Sequence, residues 1–310
     1  CYLGVDGGGS HTVALLADGA GRIVGRGVAG PANPLTVGRA EARRALRAAI
    51  RAAWAEAGMA PGVADVACLG LAGVGREAER AEAWRWAREE RLAARVLVVV
   101  DCDLVLAAGT PEGWGLALVA GTGSIAWGRD RQGAAARAGG WGYLLGDEGS
   151  GYALGLAALR AMLQAADGRG PRTALTEAIL GDWGLAGPDE LVRRVYRAPT
   201  LRAEISALAP LVEQTALAGD AVAGTIVDEA GAELARALAA VAGRLGFERG
   251  SPVPCALGGG LLVHGQLVPQ RALELGAADG WVLAPLTRVA EPANGALRLA
   301  RGEVRCLQGT

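Results

Sequence analysis

Short apolar runs alternate with longer amphipathic stretches through the first hundred positions of the chain. Runs such as "VLVVV" at 96–100 are continuous and rich in β-branched residues, which is typical of strands buried in a sheet. The Ala- and Arg-rich stretch 39–57 instead favours a helix. The pattern predicts strands at 2–6, 11–17, 22–28, 66–73 and 96–100, and helices at 39–57 and 76–93. This alternation is typical of an α/β fold.

A second set of elements begins near residue 113. The segment "GLALVAGTGSIAWGR" predicts two strands joined at 121–124, and "GGWGYLLGDEGSGYALG" leads into a helix. Beyond it the pattern predicts mostly helix at 152–246, a strand at 253–260 and a helix at 292–301. We therefore predict two α/β domains, residues 1–112 and 113–289, with residues 290–310 returning to the first domain.

Length, hydropathy and charge exclude several classes of protein. The chain has 310 residues, 51% of them hydrophobic, which indicates a large buried core. The apolar runs are interrupted before they reach the roughly 20 residues that span a bilayer, and no signal-peptide pattern is seen. A formal net charge of -1 gives no electrostatic footprint for nucleic acid or an anionic membrane. We expect a cytoplasmic protein with a small-molecule substrate and neither of those partners.

The residue types that are scarce narrow the chemistry further. The five cysteines include no CxxC pair, so they are expected to be reduced thiols and not a metal cluster or a disulfide framework. The chain contains no lysine, which excludes a Walker lysine, a Schiff base and a lysine general base. Its two histidines, His11 and His264, have no recognisable catalytic spacing. Acid–base chemistry therefore falls to carboxylates.

Three glycine clusters stand next to predicted strands. "DGGGS" forms a predicted hairpin turn after Asp6, and "AGTGS" repeats the arrangement at 120–124. Exposed amides in such turns make a concave anion site, so two turns facing each other would hold a polyphosphate. A third cluster, "ALGGGLL" at 256–262, would let a flat nucleoside lie against the backbone. Each cluster alone fits a structural turn equally well, whereas three in this order favour a nucleotide site.

The order of DGGGS, a strand-terminal Asp, GTGS, "GWGYLLGDEGSGYALG" and a late GGG resembles the superfamily of sugar kinases, heat-shock ATPases and actin. More closely, the chain is similar to the N-acetylglucosamine and glucosamine kinase branch, which is grouped with the BadF/BadG/BcrA/BcrD ATPases. The resemblance implies two ribonuclease-H-like domains with an interdomain cleft for ATP, Mg²⁺ and a hexosamine. We also expect a homodimer.

The resemblance assigns nucleotide and metal contacts to particular residues. It implies that Asp6 orients magnesium through water and that the adenosine lies near the late glycines Gly258, Gly259 and Gly260. The phosphate contacts that it implies are Gly7, Gly8, Gly9 and Ser10 in the first turn and Gly121, Thr122 and Gly123 in the second.

Phosphoryl transfer to a hydroxyl needs one carboxylate to accept the proton. Asp101, at the end of a predicted buried strand, falls where the family places its base, and Asp103 in the same "DCD" is the alternative. Either residue could instead cap a helix. For the sugar, the resemblance implies contacts from Asn33, the backbone of Ala72 and Gly73, Asp101 and Asp147, with Glu148 as a further carboxylate or a brace of its turn. Ile125 departs from the Asn that the animal kinases carry there, which leaves the acceptor hexosamine open.

Two other functions compete with the kinase hypothesis. Some BadF-like proteins are ATP-driven activators that pass an electron to a dehydratase from an iron–sulfur cluster, which requires thiolates on a shared face. None of the five cysteines lies in a glycine-bounded exposed loop of the predicted fold. The other alternative is a non-catalytic sugar sensor, but no basic arm is present at the start of the sequence.

Overall fold

The strands of the protein form two mixed sheets. The computed structural model describes residues 1–197 and 201–304, and within them each sheet has five strands. The first sheet contains β1 (Tyr2–Gly7), β2 (Thr12–Ala17), β3 (Ile23–Ala29), β4 (Ala64–Leu71) and β5 (Ala93–Val100); the second contains β6 (Gly115–Ala120), β7 (Ser124–Arg129), β8 (Ala135–Gly139), β9 (Pro252–Gly258) and β10 (Val282–Arg288).

Both sheets have the same topology. In the first, β1 lies between the antiparallel β2–β3 hairpin and the parallel strands β4 and β5. In the second, β6 lies between the antiparallel strands β7 and β8 and the parallel strands β9 and β10. The predicted α/β class is confirmed, since this repeated architecture matches solved actin-like and sugar-kinase folds.

Helices connect and cover the sheets. Those of the first half are α1 (Pro34–Val37), α2 (Arg39–Glu56), α3 (Glu77–Glu89) and α4 (Asp101–Gly109). Those that follow β8 are α5 (Gly151–Ala166), α6 (Leu175–Trp183), α7 (Asp189–Arg197), α8 (Leu201–Ser206), α9 (Ala209–Leu217), α10 (Ala221–Arg244), α11 (Gly260–His264), α12 (Leu267–Ala278) and α13 (Ala293–Ala300). No helix of the described part of the chain is long and apolar enough to cross a membrane.

The core of the first half lies between the sheet and α2. Leu3 and Val5 on β1 are fully buried and pack with Leu46, Ile50 and Trp54 of the helix. The opposite face of β1 is covered by α13, which approaches so closely that a side chain in place of the Gly4 hydrogen would lie 2.9 Å from the Leu297 nitrogen. The last helix therefore packs on the first sheet. Residues 305–310, which were also predicted to return to the first domain, lie outside the described residues. The domain bounds themselves stay a prediction.

The helix α4 connects the two halves of the molecule. Leu104 and Ala107 pack with residues of the first sheet. Val105 and Leu106 on the same helix pack with Ala117 of the second sheet. Both of its apolar faces are therefore used, and the residues at its amino-terminal end are fixed relative to both sheets.

Several elements were not predicted from the sequence. β8 reads "AARAG", and Ala and Gly have low strand propensity, so no alternation marks it. β10 is a largely exposed edge strand that contains Pro285, where the pattern of a buried strand is absent. The region predicted as mostly helix at 152–246 is divided into α5 to α10, and α4 begins at the position predicted to end a strand.

Candidate active site

The first glycine turn follows the end of β1. Asp6 lies near the end of the strand with 8% of its surface exposed, and Gly7 is the last residue of the strand. The Gly8 amide donates to the His11 carbonyl at 3.0 Å and closes the hairpin. That amide is used internally, and the phosphate contacts expected of Gly7, Gly8, Gly9 and Ser10 stay a prediction. Gly9 has open space on its Cβ side.

The second turn joins β6 and β7 and meets the first across the molecule. The Ser10 and Thr122 hydroxyl oxygens are 3.3 Å apart, although the residues are separated by 112 positions. The Gly121 amide donates to the Gly123 carbonyl at 2.9 Å, and the Gly121 carbonyl accepts from the Gly151 amide at the start of α5 at 2.7 Å. The structure thus brings together the two turns that the sequence predicted to face each other.

The third cluster lies directly behind the second turn. Gly259 has φ +81°, and a Cβ there would be 2.3 Å from the Ala120 carbonyl oxygen, so only glycine fits. A Cβ on Gly121 would lie 3.6 Å from the Gly260 nitrogen, in ordinary contact. Gly258 ends β9 and Gly260 opens α11. All three glycine clusters therefore adjoin one region between the sheets.

Asp101 lies beside Asp6 in the same region. It is the first residue of α4 and directly follows Val100, where β5 ends as the predicted strand 96–100 does. Val100 and not Asp101 is the N-cap, so the alternative interpretation of Asp101 as a helix cap does not apply. Its Oδ1 atom accepts from the Cys102 amide at 3.0 Å. Burial raises the pKa of Asp101 above its usual range. Burial, together with the nearby charges of Asp101 and Glu291, raises the pKa of Asp6 to about 7.

Asp103, the alternative base, takes part in a buried ion pair. Its Oδ1 atom accepts from the Arg129 guanidinium at 2.6 Å and from the Trp127 indole at 2.9 Å. The Asp103 and Arg129 side chains are 3% and 6% exposed. The pair links α4 to β7, which makes Asp103 a brace between the sheets and favours Asp101 as the base.

Asn33 and Gly73 lie against each other on the first half. The Asn33 Oδ1 atom accepts from the Leu35 amide at 3.0 Å and caps α1. A Cβ on Gly73 would be 2.6 Å from that same oxygen. The Asn33 amide nitrogen has no hydrogen-bond partner among the described residues, so it is the part of this side chain that can bind a sugar hydroxyl.

Asp147 lies on the other side of the second turn. It has φ +59° and is 4% exposed. One carboxylate oxygen accepts from the Ser124 amide at 3.4 Å and the other from Arg202 at 2.9 Å. Burial raises its pKa, and the Arg202 charge opposes this shift. The Glu148 side chain is exposed, while its carbonyl accepts from the Ser124 hydroxyl at 2.6 Å, which fits a brace of the turn.

Two charged residues of this region were missed by sequence reasoning. Glu291 precedes α13, and its negative charge helps to raise the pKa of Asp6. Its carboxylate forms a bidentate ion pair with Arg26 at 3.0 and 3.1 Å. Arg202 lies in an Ala-rich helical region remote in sequence from every glycine cluster. No local motif marks either residue, because only the packing of distant helices brings them to the site.

The donor set fits a magnesium ion bound with a nucleotide. Asp6 is a buried carboxylate for which the described residues provide no hydrogen bond or ion pair. They also contain no group of three His, Cys, Asp or Glu side chains that could hold a metal by themselves. Magnesium is commonly bound by one or two carboxylates, with water and substrate phosphates completing its shell. A single poised aspartate beside a phosphate turn therefore suits it.

The cysteines do not form a cluster site in the described part of the chain. Cys68, Cys102 and Cys255 are buried, and Cys1 is partly exposed. Burial raises the pKa of the Cys102 thiol and that of Cys255, so neither is disposed to be a thiolate. Cys306 lies outside the described residues. An iron–sulfur activator is not favoured.

Two similar sheets that meet at glycine turns define the class of this protein as an α/β protein with the actin-like ATPase fold. The chain matches the profile of the BadF/BadG/BcrA/BcrD ATPase family over residues 3–297, and it belongs to that family.

Similar proteins cover most of the chain. An N-acetylmuramic acid/N-acetylglucosamine kinase of Clostridium acetobutylicum is 32% identical over 257 residues, which are 83% of this chain and 84% of the relative. An N-acetyl-D-glucosamine kinase of Dictyostelium discoideum is 30% identical, with 84% of each chain covered. The crystal structure of a provisionally assigned N-acetylglucosamine kinase from Chromobacterium violaceum has a TM-score of 0.78 and 30% identity, and it covers 96% of this chain and 98% of its own.

Proposed function

We propose that this protein is a kinase that transfers the γ-phosphate of ATP to a hydroxyl of N-acetylglucosamine or glucosamine, and that the acceptor is the 6-hydroxyl. The observation that carries the proposal is the approach of the two glycine turns, with 3.3 Å between the Ser10 and Thr122 hydroxyls, beside the buried carboxylates Asp6 and Asp101. The names of the similar proteins support the hexosamine as acceptor.

Asp101 is the general base of the proposed reaction. Its Oδ1 atom is held by the Cys102 amide, which leaves Oδ2 to accept the proton of the sugar hydroxyl. A raised pKa makes the carboxylate a stronger base than an exposed aspartate. Asp101 lies in the first turn of a helix that packs on both sheets, which keeps its carboxylate in one orientation. Phosphoryl transfer depends mainly on such positioning of the reacting groups.

The two glycine turns bind the phosphates. Gly9 and Ser10 serve on one side and residues 121–123 on the other, and the glycines at 258–260 leave a flat surface for the adenosine. Open space at Gly9, and a Cβ position at Gly121 that meets only ordinary contacts, let a phosphate approach the backbone closely. The facing Ser10 and Thr122 hydroxyls mark where the two sides meet.

Asp6 would hold the magnesium ion that accompanies ATP, and the ion would supply neutralisation of the phosphate charge. The carboxylate is prepared for a cation because it is buried without a partner in the described structure. Glu291, acting at a distance on Asp6, adds negative charge to the same place.

The sugar is bound from both halves. The Asn33 amide nitrogen and the Gly73 backbone face it from the first half, and Asp147 faces it from the second. A site divided between two sheets is complete only when they are held together, which orients the hydroxyl and excludes water as a competing acceptor. A cytoplasmic homodimer is the form we propose for the working enzyme.

The test is ADP release from ATP and Mg²⁺ with a panel of hexoses and hexosamines, with the product identified by mass spectrometry. We expect sugar-dependent ADP release with N-acetylglucosamine or glucosamine and a monophosphate at the 6-position. A matched control is Asp18→Asn, a partly exposed aspartate in a turn of the first half, which should leave turnover unchanged. ATP hydrolysis that no sugar stimulates would contradict the proposal.

A further inference from the structure

Arg202 is the one described arginine placed against both the second glycine turn and Asp147. Its guanidinium donates to the Asp147 carboxylate at 2.9 Å, and one of its terminal nitrogens lies 3.1 Å from the position a Cβ would take on Gly123. The Arg202 side chain is 30% exposed. A cation therefore lies at the wall of the proposed sugar site.

Close packing of α8 on α5 fixes the position of Arg202. A Cβ on Gly155 would lie 2.0 Å from the Ile205 carbonyl oxygen, and one on Gly151 would lie 2.7 Å from the Ser206 hydroxyl. Ile205 is 1% exposed. The two glycines are four residues apart on one face of α5, so they form the surface on which α8 rests. Arg202 lies one turn before these contacts and is directed by them towards the glycine turn.

Among the described residues, most of the hydrogen-bonding capacity of Arg202 is unused. The guanidinium has five N–H donors, and Asp147 is its only acceptor in the described part of the chain. Its Nε atom is buried and has no partner there. The Tyr143 ring lies 5.2 Å from the guanidinium carbon and keeps the cation in place by a cation–π contact.

A surface ion pair elsewhere in the chain uses its donors more completely. Arg47 and Glu90 form a two-bond pair on the surface, with distances of 2.9 and 2.5 Å. At Arg202 the described residues provide a single bond to the carboxylate and leave a buried donor unpaired, and together with the proximity of Gly123 this points to a group that faces a ligand.

We infer that Arg202 is a specificity-determining residue that sets the charge of the sugar, so that the site favours an uncharged N-acylated hexosamine over a free hexosamine in its ammonium form. This inference rests on the proposed function. Arg202 neutralises Asp147, which would otherwise attract an ammonium group, and it adds a positive charge that repels one. An N-acetyl group carries no charge and offers a carbonyl oxygen, which the unused N–H donors can bind.

The test compares glucosamine with glucose, because the two differ at one position by an ammonium group against a hydroxyl of similar size. The quantity measured is the ratio of their kcat/KM values, or of their inhibition constants against N-acetylglucosamine where turnover is too slow. Arg202→Met should raise the glucosamine-to-glucose ratio about tenfold, which corresponds to about 1.4 kcal/mol and is the size of a unit charge acting through a partly screened site.

Further variants separate charge from structure. Arg202→Lys keeps the charge and should keep the wild-type ratio, whereas Asp147→Asn leaves the cation unpaired and should lower the ratio. Arg249→Met is the matched control, since Arg249 also pairs with an aspartate, at 3.0 Å, and stacks on Trp281; it should leave the ratio unchanged. The Lys and Asn variants keep the test decisive if Arg202→Met does not fold.

The outcomes distinguish the two proposals. A wild-type protein that phosphorylates no sugar would refute the proposed function. A wild-type protein that phosphorylates hexosamines, with the glucosamine-to-glucose ratio unchanged in Arg202→Met and in Asp147→Asn, would overturn the role of Arg202 alone.

Discussion

Replacing the buried carboxylate of Asp6 with an amide should make the protein increasingly stable, relative to wild type, as the pH rises. The pKa of Asp6 is raised from 3.8 to about 7, chiefly by burial. The folded state therefore holds the proton more tightly than the unfolded state does. Stability from this group is fully present below pH 3.8 and is lost as the pH rises through about 7. The side-chain amide of the Asp6→Asn variant does not titrate in this range, so that variant escapes the loss.

The magnitude follows from the shift. Between the two pKa values the free energy of unfolding falls by about 1.36 kcal/mol for each pH unit, which gives about 4 kcal/mol over the whole window. From about pH 5.5 to about pH 8.5, the stability of Asp6→Asn relative to wild type should rise by about 2 kcal/mol. A difference between two pH values removes the constant effect of placing an amide at this position.

The assay is urea unfolding of both proteins at the two pH values in EDTA without nucleotide. Asp18→Asn is the control, because hydrogen bonds with Arg22 and Ala20 lower the pKa of that partly exposed carboxyl, and its titration lies below the window. Added Mg²⁺ and a non-hydrolysable ATP analogue should reverse the order, since wild type binds them better. A stability difference that does not change with pH would refute the account of Asp6 as a buried, unpaired carboxylate.

Three further predictions concern the other residues of the site. Gly121→Val should weaken ATP binding at least tenfold, as measured by calorimetry, because the valine side chain would occupy the phosphate position. The Cβ atom has room in the fold, so the far-ultraviolet circular dichroism spectrum should stay unchanged. Gly243→Ala, in an open helical position, is the control. Asp103→Asn should lower the free energy of unfolding by about 3 kcal/mol, as expected for a broken buried ion pair. The kcat per folded molecule should be retained. Loss of turnover with normal stability would instead make Asp103 the base. The acid limb of the kcat/KM profile should lie above the usual aspartate range, since Asp101 must be ionised and its pKa is raised; a limb near pH 4 would contradict this.

The elements with strong patterns could be predicted from the sequence, and those fixed by packing could not. The continuous apolar run of β5 and the charged helix α3 are visible locally, and so are the glycine turns. β8 has no strand pattern because it consists mainly of Ala and Gly, and it forms a strand through its pairing with β7 in the sheet. The transition from β5 to α4 also escaped prediction, since the apolar residues of α4 face two different sheets and show no single helical stripe.

The residues of the site also fall into some that the sequence could predict and some that only packing reveals. Asp101 was chosen over Asp103 through a family resemblance, and only the Arg129 and Trp127 contacts give a physical reason for that choice. Arg202 carries no local signal, because a buried surface on α5 and not a motif brings it to the turn. Charges that act on a site from distant helices are therefore the part that sequence reasoning misses.

The most direct test of the account is the effect of Asp101→Asn on turnover and on binding. The amide keeps the size of the side chain and its contact with the Cys102 amide but cannot accept a proton. We expect the rate of sugar phosphorylation to fall by about 10²- to 10⁴-fold. Calorimetry should show ATP analogue and N-acetylglucosamine bound about as tightly as by wild type. Turnover of Asp101→Asn near the wild-type rate would contradict the assignment of Asp101 as the base.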